Sequence, residues 1–250
     1  MFHSKRLSKF KKIKHCFFSK KNGFSKGLYK SLNCGKGSKD KKKNILKNLT
    51  YVSKKMSVKK NKLVLMNQTH SANVIEIKKN NYRKKIDSDA IITRVKGLAL
   101  GVVTADCVPV IIYDSNNQIV GCIHAGWKGA ISGIVKNTIN KIKKLSPKNN
   151  IFACVGPCIG KKSYEVDLIF YKKFLAKTKV NKKYFSDTKK NKKLFNLRKF
   201  VADKLVELKV KVDHVNHDTY QEKTNFFSYR RSCKLRHTDY GRCISTVCLI

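Results

Sequence analysis

Three side chains that bind metals well stand in short, turn-like segments of this sequence. They are His70, Cys107 and His124, within the segments QTHS, TADCVP and HAGWKG. Two imidazoles and one thiolate form a recognised catalytic zinc set, in which the fourth coordination position is left for water or substrate. The three residues are 37 and 17 positions apart, a spacing unlike the short ligand pairs of a structural zinc finger. Spacing alone leaves other interpretations open: structural histidines, and a Cys107 that is a buried thiol or a nucleophile paired with a histidine.

The segment that contains Cys107 and His124 carries no basic residue. From Gly97 to Trp127 there is no Lys or Arg, and the only formal charges are Asp106 and Asp114. The whole chain, in contrast, holds 57 basic and 15 acidic residues, for a net charge of +42. In so basic a chain, a segment of this length without bases is expected to be buried, or to perform chemistry that basic side chains would disturb.

The high positive charge suggests nucleic-acid binding, because Lys and Arg neutralise phosphates. However, 49 of the 57 basic residues are Lys and only eight are Arg, whereas base recognition and bidentate phosphate contacts favour Arg. We therefore expect a solvated, lysine-rich surface that attracts polyanions non-specifically at low salt, with no specific nucleic-acid partner.

Length and composition indicate a globular protein of one large domain or two tightly merged ones, and we expect a single domain. A chain of 250 residues, 41% of them apolar, can bury a substantial core, and no apolar run is long enough to cross a membrane. The nine cysteines are an odd number and no secretory signal is visible, so we expect free thiols and a cytoplasmic location. Residues 1–14 are expected to form a disordered basic tail, followed by one domain over residues 15–250.

The hydrophobic pattern predicts strands first and helices later. Residues 1–50 are expected to be rich in loops after an opening strand. The predicted strands cover His15–Ser19, Lys62–Met66, Asn73–Ile77, Asp89–Thr93, Leu98–Thr104, Val108–Tyr113, Ile119–His124, Ile151–Val155 and Ile244–Ile250. Apolar residues at helical spacing predict helices over residues 131–145, 167–177 and 196–209. This order favours an α/β (α+β) fold, with a mixed β-sheet core and helices packed on it.

Taken together, the motifs resemble those of one known enzyme family over nearly the whole chain. They are, in order, FSKKNG (18–23), YKSLNCG (29–35), the three metal-capable segments, GPCIG (156–160) with SYEV (163–166), and FFSYRR (226–231) with GR (241–242). In these motifs the sequence is similar to the family once called multicopper polyphenol oxidases or bacterial laccases, and now regarded as purine nucleoside phosphorylases.

The resemblance implies a zinc site formed by His70, Cys107 and His124. It also implies phosphorolysis of adenosine, inosine and guanosine, cleavage of methylthioadenosine, and a side activity that deaminates adenosine. Copper-dependent oxidation of phenols was the earlier assignment for the family, which leaves copper as the alternative metal. The sequence departs from the family pattern where Ser71 replaces the usual Gly and Lys128 replaces the usual Arg; a Lys cannot form the fork-shaped pair of hydrogen bonds that an Arg forms.

Deamination would need a proton carrier beside the metal. Water bound to zinc can attack C6 of adenine, and Asp106, adjacent to Cys107 in sequence, is a candidate to carry the proton. The alternative role for Asp106 is to cap a turn, and the sequence does not separate the two.

Phosphorolysis would need a cradle for phosphate. Arg230, Arg231 and Lys128 are candidates, together with backbone N–H groups of the turn at 156–160. If the two arginines lie along a strand, only one of them faces the site. Asn33, in the YKSLNCG segment, is a further candidate for substrate contact. The expected partners are purine nucleosides and phosphate, and homodimer formation is left open.

Overall fold

The computed structural model describes residues 1–188 and 191–250. Its strands are β1 (Ile13–Phe17), β2 (Leu63–Leu65), β3 (Val74–Ile77), β4 (Ala90–Thr93), β5 (Ala99–Thr104), β6 (Val108–Asp114), β7 (Ile119–Ala125), β8 (Ile151–Val155), β9 (Glu165–Val166), β10 (Phe185–Asp187), β11 (Lys193–Phe195), β12 (Lys211–His214) and β13 (Cys243–Leu249). Its α-helices are α1 (Lys42–Lys55), α2 (Trp127–Ile131), α3 (Ile134–Leu145), α4 (Leu168–Leu175), α5 (Leu197–Glu207) and α6 (Tyr229–Lys234). Most helices follow β7, as the sequence pattern predicts.

Within the described residues, three sheets form the framework of the molecule. The largest has the strand order β12-β8-β6-β7-β4-β3, in which the two outer pairs are parallel and the inner pairs antiparallel. A second sheet has the order β1-β13-β5-β2, and a small third sheet the order β10-β11-β9. Mixed sheets with helices packed on them, in one domain, confirm the predicted α/β (α+β) class.

Strand β6 shows how the core is divided into two layers. All of its residues are buried, and successive side chains point to opposite faces of the sheet. Val110 and Ile112 belong to a cluster that includes residues of α3 and α5, whereas Ile111 and Tyr113 belong to a cluster that includes residues of β5 and β13. The largest sheet is therefore covered by helices on one face and by the second sheet on the other. This double burial explains why β6 is a continuous apolar run rather than an alternating one.

The base-free segment of the sequence forms the three strands β5, β6 and β7. Both β6 and β7 are buried along their whole length. Burial in the centre of the fold accounts for the absence of Lys and Arg, because an unpaired charge there would be costly to desolvate.

Residues 1–14 are packed against the domain, so the expectation of a disordered tail is corrected. Phe2 and Phe17 exchange two backbone hydrogen bonds of 2.8 and 2.9 Å, and Leu7 is fully buried. Leu7 and Ile13 of this segment belong to the core and Phe2 packs against it, while lysines such as Lys9 and Lys11 stay exposed. A basic composition therefore does not prevent the segment from being ordered.

Three helical regions differ from the sequence prediction, and one of them is α6, for which the sequence predicts no helix. Helix α1 lies in the region expected to be rich in loops. The sequence does not predict it, because its buried apolar residues Ile45, Leu49 and Val52 are scattered among many Lys and Asn residues. The helix predicted over residues 131–145 corresponds to α3, which begins at Ile134 after Gly133, whose φ of 92° lies in the left-handed region; the separate helix α2 ends at Ile131. In the described part of the chain, no helix is long and apolar enough to cross a membrane.

Candidate functional site

The structure brings His70, Cys107 and His124 together at one edge of the largest sheet. Strand pairing places the amino ends of β3, β4 and β6 beside the carboxyl end of β7, and the three residues lie at or near these ends. Their metal-capable atoms are all within 4.8 Å of one another. His124 is buried, Cys107 is half-buried and His70 is exposed. The group is thus closed towards the sheet and open on the opposite side.

The local backbone is shaped to make this approach. His70 has a φ of 58°, and Asp106, next to Cys107, has a φ of 82°; both values lie in a region that few residues other than Gly adopt. A Cβ atom added to Gly126 would lie 2.8 Å from Nδ1 of His70 and 3.1 Å from Sγ of Cys107. The absence of a side chain at Gly126 therefore leaves the space that the two ligand side chains occupy.

Asp89 joins the two histidine segments, although it is not among the site residues predicted from the sequence. Its side chain accepts hydrogen bonds from the backbone N–H groups of His70 (3.0 Å) and Ser71 (2.6 Å), and lies 2.8 Å from Nδ1 of His124. Asp89 is fully buried at the start of β4. An acid directly before a four-residue apolar strand was the available signal, since a buried carboxylate needs several partners.

The charge around the group favours a cation. Burial lowers the pKa of His70, and the neighbouring His124 lowers it further. For His124, burial acts in the same direction, but the charge of Cys107 and the hydrogen bond to Asp89 outweigh it and raise the pKa to about 9. For Asp89, burial would raise the pKa, but hydrogen bonds from His124 and Ser71 hold it well below its usual range. The negative groups that stabilise a proton on His124 would equally stabilise a metal ion.

The donor set fits zinc, and also copper. Zinc bound tetrahedrally at about 2.0–2.3 Å places neighbouring ligand atoms roughly 3.3–3.8 Å apart, so the 4.8 Å limit here requires a closure of about 1.5 Å at most. The hydrogen bond with Asp89 uses Nδ1 of His124, which leaves Nε2 for a metal in the arrangement common to metal-binding histidines. Within the described residues, this is the one group of three or more metal-capable side chains at close range.

The metal-capable group lines a large cleft of about 1120 Å³. This volume is slightly above the usual range, about 300–1,000 Å³, for cavities that hold small molecules. Lys128 and Arg230, two of the expected phosphate contacts, also line the cleft, as do the aromatic residues Trp127, Tyr164, Phe170, Tyr229 and Tyr240. The cleft therefore combines a candidate metal centre, cationic side chains and aromatic surfaces.

Asp106 lies at the cleft, but its carboxylate is occupied. It accepts hydrogen bonds from the hydroxyls of Thr219 (2.7 Å) and Ser228 (2.8 Å), and from the backbone N–H of Arg230 (2.7 Å). Burial is the largest influence and raises the pKa of Asp106, although these hydrogen bonds oppose it. This geometry fits the turn-capping alternative better than a freely exchanging proton carrier, because the carboxylate is buried and already accepts three hydrogen bonds.

The two arginines proposed as phosphate contacts differ in their position relative to the cleft. Arg230 and Arg231 lie in α6 and not along a strand. Arg231 does not line the cleft; its guanidinium donates to the carbonyls of Thr219, Tyr220 and Phe226.

Two further candidates, Asn33 and the turn at 156–160, form hydrogen bonds with backbone groups of the protein. Asn33 is fully buried and accepts from the N–H groups of Gly35 and Arg242, so it shapes a loop and lies outside the cleft lining. In the 156–160 turn, the N–H groups of Gly156, Cys158 and Ile159 donate to backbone carbonyls, which removes three of the donors expected for an anion.

Curated relatives share substantial sequence with this chain. A purine nucleoside phosphorylase of Rickettsia conorii is 40% identical over 152 residues, 60% of this chain and 63% of that protein. A purine nucleoside phosphorylase of Bacteroides thetaiotaomicron is 31% identical over 241 residues, covering 90% of this chain and 88% of the relative. An adenosine deaminase of an unknown prokaryotic organism is 32% identical over 148 residues, 57% of this chain and 56% of the relative. The chain thus matches less than two thirds of the length of the rickettsial relative.

Solved structures and a family model cover almost the whole chain. A Neisseria meningitidis protein is 28% identical and superposes with a TM-score of 0.86 over 96% of this chain and 95% of its own. A hypothetical protein of Bacillus licheniformis is 26% identical, with a TM-score of 0.88 over 95% and 93% of the two chains. The model of the family described as multi-copper polyphenol oxidoreductase laccase matches residues 14–250. The chain therefore belongs to this laccase-like family, as its motifs predict.

Proposed function

We propose that the protein is a zinc-dependent purine nucleoside phosphorylase. Its substrates would be adenosine, inosine, guanosine and methylthioadenosine, with deamination of adenosine as a side activity in the cytoplasm. The observation that carries the proposal is the convergence of His70, Cys107 and His124 within 4.8 Å in a cleft of about 1120 Å³. The names of the curated relatives, two purine nucleoside phosphorylases and an adenosine deaminase, support the same class of substrate.

Different residues of the chain would have different roles in the proposed reaction. A zinc ion, when bound, would act as a Lewis acid towards a water or substrate oxygen in its open coordination position. Asp89 fixes the orientation of His124 and the loop of His70. Trp127 and Tyr164 line the cleft and offer aromatic surfaces against which a purine can lie.

Arg230 and Lys128 are the proposed phosphate contacts. Both line the cleft, and in the described part of the chain neither forms a salt bridge. Arg230 donates one hydrogen bond of 2.7 Å to the carbonyl of Glu165, which orients the guanidinium and leaves other N–H groups for an oxyanion. Cationic donors placed beforehand favour charge that develops during cleavage of the glycosidic bond.

The decisive experiment combines metal analysis with product identification. Purified protein is incubated with adenosine in the presence and absence of phosphate. We expect adenine and ribose 1-phosphate only with phosphate, a slower formation of inosine without it, and about one zinc ion per chain.

Two cysteine variants test the role of the metal centre. Cys107→Ala is expected to lose zinc and both activities, whereas Cys233→Ala is a matched control because Cys233 is exposed and does not line the cleft. Unchanged nucleoside turnover in Cys107→Ala would contradict the proposal. Oxidation of a phenolic dye that depends strictly on added copper, without nucleoside turnover, would also contradict it and would support a phenol oxidase.

A further inference from the structure

The cleft has a further cationic side chain, Arg242, that is not among the site residues predicted from the sequence. Arg242 lies directly before β13, and its guanidinium carbon is 4.2 Å from the ring centre of Tyr240. Both side chains line the same cleft as the metal-capable group. A guanidinium on an aromatic face is held by a cation–π contact while its N–H edge stays available for hydrogen bonds.

The backbone and stem of Arg242 are fixed from two sides. Its N–H donates to Oδ1 of Asn33 (3.0 Å), and its carbonyl accepts from the N–H of Cys34 (3.0 Å). Its aliphatic stem crosses Gly35 so closely that an added Cβ there would lie 2.8 Å from Cδ of Arg242. The side chain is therefore placed in advance of any ligand, which lowers the entropy lost on binding.

The hydrogen-bonding capacity of Arg242 is mostly unused. Among the described residues its guanidinium makes one long hydrogen bond, of 3.3 Å, to the carbonyl of Tyr240 and no salt bridge within 4.0 Å. The nearby carboxylate of Asp239 instead accepts from the hydroxyl of Tyr29 and the N–H of Lys39. An arginine has five N–H donors in a planar fork, so most remain free for an oxyanion. The guanidinium of Arg231, in contrast, donates hydrogen bonds to three backbone carbonyls.

We infer that Arg242, held by Tyr240 and Gly35, forms a phosphate-binding subsite in the cleft, in addition to the proposed contacts Arg230 and Lys128. The ligand group is a phosphate dianion, which two parallel N–H donors of a guanidinium bind as a fork. It is supplied either by free orthophosphate or by the phosphate ester of a nucleotide. The inference deepens the proposed function and depends on it only for the nucleoside co-substrate.

Binding measured without turnover separates this inference from the proposed function. The intact protein is titrated calorimetrically with sodium phosphate and, separately, with adenosine 5′-monophosphate in about 150 mM salt, where non-specific attraction is screened. Arg242→Gln is expected to weaken at least one of the two ligands by about 10-fold or more, since a charge-assisted bidentate contact is lost. Arg242→Lys keeps the charge and most of the stem and is expected to show an intermediate loss. Loss of phosphate binding identifies orthophosphate as the ligand, and loss of nucleotide binding alone identifies the ester.

A matched control removes the same charge away from the cleft. Arg236 is exposed and does not line the cleft, so Arg236→Gln is expected to bind both ligands within about two-fold of the parent protein. The inference is overturned if Arg242→Gln, folded by circular dichroism, binds both ligands as the parent does, or if Arg236→Gln loses as much affinity. A protein that binds phosphate through Arg242 but does not cleave nucleosides would retain the subsite and refute only the proposed function.

Discussion

At the scale of single residues, the metal centre depends on residues that are not ligands. Asp89 contacts the segments of His70 and His124 at once, and Gly126 leaves the space between His70 and Cys107. Neither residue has a type that draws attention in the sequence, because one is a single acid and the other a single glycine. Both make predictions that do not require the substrate to be known.

Replacement of Asp89 should lower the affinity of the protein for zinc without changing the fold. Asp89→Asn removes the negative charge that orients His124, and such partners of ligand histidines contribute about 10- to 100-fold to metal affinity. We expect a loss of this size in zinc affinity, measured by competition with a chromophoric chelator. Asp87→Asn is the control, since Asp87 is exposed and contacts Asn67 and Lys85. Equal zinc affinity in both variants would refute the role of Asp89.

A methyl group at Gly126 should displace the metal ligands. In Gly126→Ala the new Cβ would lie 2.8 Å from Nδ1 of His70, closer than van der Waals contact allows, so His70 must move. We expect well under one zinc ion per chain, measured by atomic absorption, while the far-ultraviolet circular dichroism is unchanged. Gly37→Ala is the control, because its added Cβ meets nothing within 4 Å. Full zinc occupancy in Gly126→Ala would contradict this account of the site.

At the scale of elements, short α6 is held to the metal loop through a single carboxylate. Asp106, beside Cys107, accepts from the backbone N–H of Arg230 and from Ser228. Ser228 is also the N-cap of α6 and accepts from the N–H of Arg231. The position of Arg230 in the cleft is thus coupled to the turn that carries a metal ligand.

Removal of the Ser228 hydroxyl should shift α6. Ser228→Ala loses the N-cap and one of the hydrogen bonds to Asp106, and loss of a cap costs about 1 kcal/mol of stability. We expect a lower midpoint in urea and a KM for phosphate raised several-fold, with a smaller change in the KM for nucleoside. Ser232→Ala, in the same helix, is the matched control. If the two variants have the same KM for phosphate, α6 does not position a phosphate contact through Ser228.

The elements also show what could be predicted from the sequence. Strands β6 and β7 were predictable because they are continuous apolar runs buried on both faces. Helix α1 was not, since its apolar face is only Ile45, Leu49 and Val52 among polar residues. The three metal-capable residues could be proposed from their types and motifs, but the Asp106 network could not. Its partners Thr219 and Ser228 are more than 100 positions away, and only the folded topology brings them together.

At the scale of the whole molecule, positive charge and the candidate site are separated. The base-free segment forms buried central strands, whereas most lysines are exposed. The net charge of +42 therefore acts chiefly from the surface, where dissolved ions screen it over a Debye length of about 8 Å at physiological salt. Attraction of polyanions and binding of an uncharged nucleoside should respond differently to salt.

This difference can be measured directly. Binding of a fluorescent single-stranded oligonucleotide should weaken by about 100-fold or more between roughly 50 and 200 mM salt, and equally for unrelated sequences, because released counterions drive it. Over the same range the KM for adenosine should stay within about two-fold, since an uncharged ligand releases no counterions. Affinity that survives at high salt and differs between sequences would contradict a purely electrostatic surface. It would mean that the lysines include a specific nucleic-acid interface, which a surface with only eight arginines is poorly equipped to form.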